Sequence, residues 1–330
     1  MSEDKSSLQP DTEITTHVVV TGGAGFLGSH LVDSLLKDGF RVTVLDNYGS
    51  GRQENLAHVE SPRLTVQKHD VRDPFPEFKT VDVVYHMASR ASPEDFTSHS
   101  VEIALTNSQG TKRALECARD HDARVFIAST SEVYGNADEH PQSETYNGNV
   151  NIRGPRAPYD ESKRFSEALA VAYERKYEMD IRTARIFNTY GPRMDPNDGR
   201  VVPNFLTQAL RGEDLTVYGD GSQTRSFCYV SDLVAGIRTI ADAPAEVAAG
   251  DVFNIGNTEE ISIRELTDVI LNVVDTDSGV TYKSLPQDDP EVRRPDISKI
   301  TSQLDWKPSI SLRTGLKRTI PYFEQRLTDD

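Results

Sequence analysis

The segment His17-Val18-Val19-Val20-Thr21-Gly22-Gly23-Ala24-Gly25-Phe26-Leu27-Gly28 decides the fold. Its first five residues form a β-branched run suited to a buried strand. The glycines satisfy both GxGxxG (Gly23, Gly25, Gly28) and GxxGxxG (Gly22, Gly25, Gly28). From Ser29 to Lys37, Leu31, Val32, Leu35 and Leu36 recur at helical spacing, and Asp38-Gly39 ends the helix. Arg41 to Leu45 is a second strand and runs into Asp46-Asn47. Strand, glycine turn, helix, strand and acid together make a dinucleotide-binding unit. The glycines admit a pyrophosphate to the helix N-terminus, and the acid accepts hydrogen bonds from the adenosine ribose. Asp46 would repel a 2′-phosphate, so the expected cofactor is NAD, with Arg52 nearby as the one opposing feature.

The alternation continues outward from this unit. Strands are expected at Leu64–Gln67, Val81–His86, Arg124–Ala128 and Ile181–Phe187, and helices at Val101–Ala118 and Tyr159–Tyr177. Six strands with helical crossovers predict an α/β fold, a doubly wound parallel (Rossmann) sheet spanning residues 16–188. Cofactor contacts are expected from Gly22, Gly25, Phe26, Leu27 and Gly28 in the turn. Asp46 and Asn47 follow the second strand, Asp70 and Val71 the third, Ala88 the fourth, and Asn107 lies in the next helix. After Asn188 the chain becomes loop-rich. A smaller α/β substrate-binding region is expected over 189–330, with segments near 226–256 returning to the Rossmann domain.

Composition narrows the partners. The chain has 52 acidic and 36 basic side chains and a formal net charge of -16, which argues against nucleic acid or an anionic membrane. A local positive pocket for a small anion remains compatible with that balance. Salt adaptation and an ordinary acidic proteome are both open as causes of the charge. Cys117 and Cys228 form no CxxC pattern, consistent with a cytoplasmic protein, and the histidine spacing predicts no metal site. No apolar run approaches the roughly 18 residues of a membrane span. Residues 1–15 lack the apolar segment of a signal peptide and read as a disordered acidic tail.

The chemistry is concentrated between Ala128 and Lys163. Ser129-Thr130-Ser131-Glu132 follows the fifth strand, where ligands of open parallel sheets bind. Tyr159 and Lys163 stand four residues apart on one helix face. A phenol with a pKa near ~10 is a weak base at neutral pH, and a nearby ammonium favours its phenolate. The pair therefore suits acid/base work.

Gly22-x-x-Gly25-x-x-Gly28, Thr130 and Tyr159-x-x-x-Lys163 resemble the extended short-chain dehydrogenase/reductase superfamily over nearly all of the chain after residue 16. The resemblance implies that Thr130, Tyr159 and Lys163 act around bound NAD. Further segments resemble the UDP-glucuronate decarboxylase (UDP-xylose synthase) family: Ser129 to Gly135, His140 to Glu144, Gly154 to Ala157, Ala184 to Arg193 and Tyr218 to Arg225. That implies a lyase acting on a UDP-sugar by C4 oxidation, loss of carbon dioxide and re-reduction. It assigns Glu132 and Arg225 to the reacting end and Ser131 to the substrate carboxylate. Asn188, Arg193, Tyr218, Arg225 and Arg293 would hold the rest of the nucleotide sugar, giving 189–330 its substrate-binding role. A homodimer through the helices 101–118 and 159–177 is also implied. Arg90 and Phe96 depart from the family pattern in the sugar-facing loop. A nucleotide-sugar 4,6-dehydratase, a 4-epimerase and a catalytically silent NAD-binding regulator are the alternative readings. Ser131 disfavours the Thr-Asp-Glu type of dehydratase.

Overall fold

The computed structural model describes residues 16–285 and 292–329. The expected acidic tail, residues 1–15, lies outside the described residues. The strands β1 (His17–Thr21), β2 (Arg41–Asp46), β3 (Leu64–Lys68), β4 (Val83–His86), β5 (Arg124–Thr130) and β6 (Ile181–Ile186) build a parallel sheet. A seventh strand, Val252–Ile255, pairs with the outer side of β6. The order is Val252–Ile255, β6, β5, β4, β1, β2, β3. Strand order reverses between β1 and β4, which opens a crevice at their C-terminal ends. Val18, Val19, Val20, Val42, Val44, Val84 and Val125 are all fully buried, as a sheet covered on both faces demands.

The helix α1 (Phe26–Lys37) begins three residues earlier than its apolar spacing indicates. The long helix expected over 101–118 is broken. Ser100–Leu105 and Thr111–His121 flank a π-helical turn at Thr106–Gly110. A Cβ on Gly110 would lie 2.8 Å from Val71 Cγ2, so this turn packs too closely on the strand-end loop to carry a larger residue.

The remainder of the chain covers the crevice. Thr224–Ser226 pairs antiparallel with Glu260–Ser262 and parallel with Val292–Arg293. Leu215–Tyr218 pairs with Val280–Lys283, a strand the sequence did not indicate. Two C-terminal helices, Ser298–Leu304 and Leu312–Asp329, were also not expected. Between them Trp306 is buried against Gly236 and donates Nε1–H to Asp232 O at 3.1 Å. Trp306 thus packs in the core, whereas Tyr282 is exposed. Among the described residues no helix is long and apolar enough to cross a membrane.

Candidate active site

The crevice is a cavity of about 900 Å³, within the usual size range of small-molecule sites. The glycine turn forms one wall. Gly22 has φ +67, and a Cβ there would stand 2.7 Å from Ala88 Cα, so the β1 and β4 ends meet backbone to backbone. A Cβ on Gly25 would meet only Gly22 O, at 3.2 Å, and otherwise project into the cavity. This cradle beside the α1 N-terminus fits a pyrophosphate. Asp46 braces it: Oδ2 accepts Ala24 N–H at 2.9 Å and Oδ1 accepts Tyr48 N–H at 2.8 Å. Burial raises the Asp46 pKa against these two bonds. Arg52, the feature opposing NAD, is engaged by Asp195. The residues present therefore fit an NAD molecule with its adenosine end at Asp46.

Two of the expected cofactor residues do not line the cavity. Asp70 is taken up by Arg72, whose hydrogen bonds hold its carboxyl well below the usual range, and by Asn47 Nδ2 at 3.1 Å. Asn107 sits in the π-helical turn and donates to Ser162 Oγ at 2.9 Å, behind the wall. The other expected cofactor residues, Phe26, Leu27, Gly28, Asn47, Val71 and Ala88 among them, border the cavity.

The opposite wall carries the residues expected to react. Thr130 ends β5, and its Oγ1 accepts Glu132 N–H at 3.3 Å, which starts a short 3-10 turn over Ser131–Tyr134. The Ser129 hydroxyl instead donates to Glu167, whereas the Thr130 hydroxyl bonds the Tyr159 phenol. Tyr159 and Lys163 lie in the helix Ala157–Tyr177, which Pro158 in the first turn favours. The Tyr159 ring stacks on Phe96 at 4.8 Å. Burial pushes its phenol up to about 12, against the pull of the Thr130 hydroxyl. Lys163 is buried as well; Nζ donates to Ala128 O at 2.8 Å, and burial lowers it to about 8 despite Glu167. The lowered phenol pKa expected from Tyr159 and Lys163 alone is therefore not a property of the protein groups by themselves. Desolvation outweighs the Thr130 hydrogen bond and the Arg200 charge.

Glu132 is the focus of charge. Its Oε2 accepts Arg156 Nη2 at 2.5 Å and Arg293 Nη2 at 3.1 Å. Burial favours the acid, but Arg293, Arg156 and, at longer range, Arg225 hold it well below the usual carboxylate range. Arg293 also donates to Ser131 O at 3.0 Å and is itself 2% exposed. In the parallel pairing of their strands, Arg293 is the direct partner of Arg225, which places both arginines at one end of the cavity. Sequence reading missed Arg156 and Arg200 as site residues. Arg156 was visible in the Gly154 to Ala157 segment. Arg200 lay in a stretch read only as loop; it is bound to Asp198, and its charge reaches Tyr159 and Glu132. Ser131, Asn188, Arg193 and Tyr218 line the same cavity, Arg193 with Nη2 on Asp33 at 2.6 Å.

The family model described as NAD dependent epimerase/dehydratase family matches residues 18–256. A curated Arabidopsis thaliana protein named UDP-glucuronic acid decarboxylase 1 is 48% identical over 314 residues, covering 95% of this chain and 71% of the relative. Among solved structures, UDP-glucose 4-epimerase from Thermotoga maritima with UDP-glucose matches at TM-score 0.86 and 30% identity, covering 94% of this chain and 100% of its own. The dTDP-glucose 4,6-dehydratase from Streptomyces venezuelae with NAD bound matches at TM-score 0.86 and 33% identity, covering 95% of this chain and 98% of its own.

Proposed function

The chain belongs to the NAD dependent epimerase/dehydratase family, and from that premise we propose that it converts UDP-glucuronate to UDP-xylose and carbon dioxide. The observation that carries the reading is the 48% identity to a decarboxylase over 95% of this chain, against about 30% to the epimerase structure. The placement of Glu132 between Arg156 and Arg293, beside Thr130 and Tyr159, supports it.

Gly22, Gly25, Gly28 and Asp46 would hold NAD, which would supply the hydride acceptor for C4 oxidation and the donor for the final reduction. Tyr159 removes the C4 hydroxyl proton, with Thr130 sharing the hydrogen bond and Lys163 adding positive charge to help stabilise the phenolate. The resulting β-keto acid loses its carboxylate, because the 4-keto group accepts the electron pair. Ser131 and the arginine pair orient the departing carboxylate. Glu132 serves C5, which must gain a proton before C4 is reduced. Arg193, Tyr218, Arg225 and Arg293 supply polar and positive contacts for the rest of the nucleotide sugar in an otherwise acidic protein.

We also propose a homodimer. Val101, Phe165, Val171 and Tyr177 are exposed on the helices that would form the dimer face, and light scattering of the purified chain tests it. The activity test uses UDP-glucuronate with NAD, following carbon dioxide and the mass of the sugar nucleotide. Loss of the mass of carbon dioxide is the expected result. Turnover of neutral nucleotide hexoses with none of UDP-glucuronate would replace the reading by an epimerase or dehydratase.

A further inference from the structure

A second cavity of about 260 Å³ lies behind the reacting wall. Glu132, Arg156 and Arg293 border both cavities and so form the partition between them. Asp160 borders only the second, because it follows Tyr159 on the helix and points to a different side. Its carboxyl is buried, 5% exposed, and Oδ1 has no hydrogen-bond partner among the described residues. Asn136, Asn149 and Asn151 complete the polar lining and are exposed, so the cavity communicates with solvent. A polar space of this size accommodates several waters.

We propose that Asp160 is the proton reserve for the decarboxylation, feeding the C5 proton through Glu132 from this rear cavity. The inference rests on the decarboxylase reading. Conversion of a glucuronate to a xylose unit and carbon dioxide takes up one proton per turnover. The proton Tyr159 removes from O4 during oxidation goes back to O4 during reduction, so it cannot also serve C5. When the bond from C5 to the carboxylate breaks, its electron pair passes into the enolate and carbon dioxide leaves. The Asp160 O–H breaks as its proton passes to the ionised Glu132, C5 forms its bond to hydrogen with that proton as Glu132 returns to its ionised form, and solvent in the rear cavity reprotonates Asp160. The enolate carbon is a far stronger base than either carboxylate, which drives the sequence.

Glu132 cannot store this proton between turnovers, because Arg293 and Arg156 hold it ionised. Asp160 can. Burial first, then the Glu132 charge, push its carboxyl up to about 7 against Arg156 and Arg293, with Glu161 adding a smaller push. At neutral pH a substantial share of Asp160 therefore carries a proton next to an ionised partner. Asp160 touches no substrate in this scheme; it acts through Glu132.

The test compares the full chain with Asp160→Asn and Asp160→Glu, using NAD and UDP-glucuronate. Stopped-flow absorbance reports C4 oxidation, and quenched samples report carbon dioxide and UDP-xylose. Asp160→Asn should oxidise C4 at the wild-type rate yet form UDP-xylose roughly 100-fold more slowly. Its solvent deuterium effect on UDP-xylose formation should rise, and Asp160→Glu should recover most of the rate. In the wild type, UDP-xylose formation should fall as pH rises through about 7, and Asp160→Asn should lose that limb, which a merely structural role would leave in place. UDP-xylose formation in Asp160→Asn within twofold of wild type, with the limb intact, overturns the proposal. Should Asp160→Asn fail to fold, a wild-type rate that is flat across that limb overturns it equally. Absence of carbon dioxide release by the wild type would instead remove the decarboxylase reading, and the relay with it.

Discussion

Gly28→Ala tests whether the glycine turn must keep its present position. An added Cβ would lie 2.1 Å from Gly22 O, 2.8 Å from Gly23 Cα and 2.9 Å from Gly22 C. All three are backbone atoms, so no side chain can swing aside. Restoring ordinary contact requires α1 and the turn to separate by about 1 Å, and a misplacement of that size can cost about 100-fold in rate. Overpacking alone should cost about 1–3 kcal/mol of stability. The turn cannot relax toward β4, because Gly22 already meets the Ala88 backbone there. NAD titration calorimetry should show binding at least roughly tenfold weaker, and turnover at saturating NAD should fall by about 100-fold. Gly212→Ala is the control. Gly212 has φ +70 with nothing within 4 Å of its Cβ position, so the substitution adds backbone strain of about 1 kcal/mol without touching the turn. Both variants should melt earlier, but only Gly28→Ala should lose cofactor. Wild-type NAD affinity and turnover in Gly28→Ala would refute the geometric argument.

Three further outcomes follow from the same geometry. Glu132→Gln removes the charge facing Arg156 and Arg293; NAD binding should stay within twofold while UDP-xylose formation drops by roughly 100-fold or more, and full activity would take Glu132 out of the mechanism. Asp46→Ala removes the acceptor of Ala24 and Tyr48 N–H and should weaken NAD at least roughly tenfold by calorimetry; an unchanged affinity would show that the carboxylate is dispensable. Asp160→Asn should change the pH dependence of melting. The Asp160 pKa rises from 3.8 to about 7 on folding, so the folded chain holds this proton more tightly and stability from this group is lost as pH climbs through that window. Asn does not ionise, so the melting temperature of the variant relative to wild type should rise from the acid to the neutral end of the window; a constant difference would contradict the shift.

The sheet was legible because its signals are local. β-branched runs mark β1 and β2, glycines mark the turn between β1 and α1, and Asp46 follows β2 within a few residues. Strand ends were less legible: β5 runs to Thr130, two residues past its apolar run, because pairing with β6 carries the ladder on. The break at Thr106–Gly110 had no local signal; its Gly110 packs so close to Val71 that a Cβ there would lie 2.8 Å from Cγ2, a contact with a residue 39 positions away. The strand Val280–Lys283 is mostly exposed and owes its form to pairing with Leu215–Tyr218, a relation composition does not carry.

By itself the sequence determined the fold class and the NAD cradle, put Thr130 at a strand end and paired Tyr159 with Lys163, because these signals are local, while Glu132 was singled out by family resemblance. Tertiary structure decided how they are charged. Tyr159 and Lys163 are neighbours on a helix, yet burial dominates both, pushing the phenol up and the ammonium down. The ion-pair partners of Glu132 lie 24 and 161 residues away, Arg156 and Arg293, and the latter reaches it through strand pairing beside Arg225. Desolvation and Coulomb attraction depend on which atoms surround a group, and most of those atoms come from elsewhere in the chain.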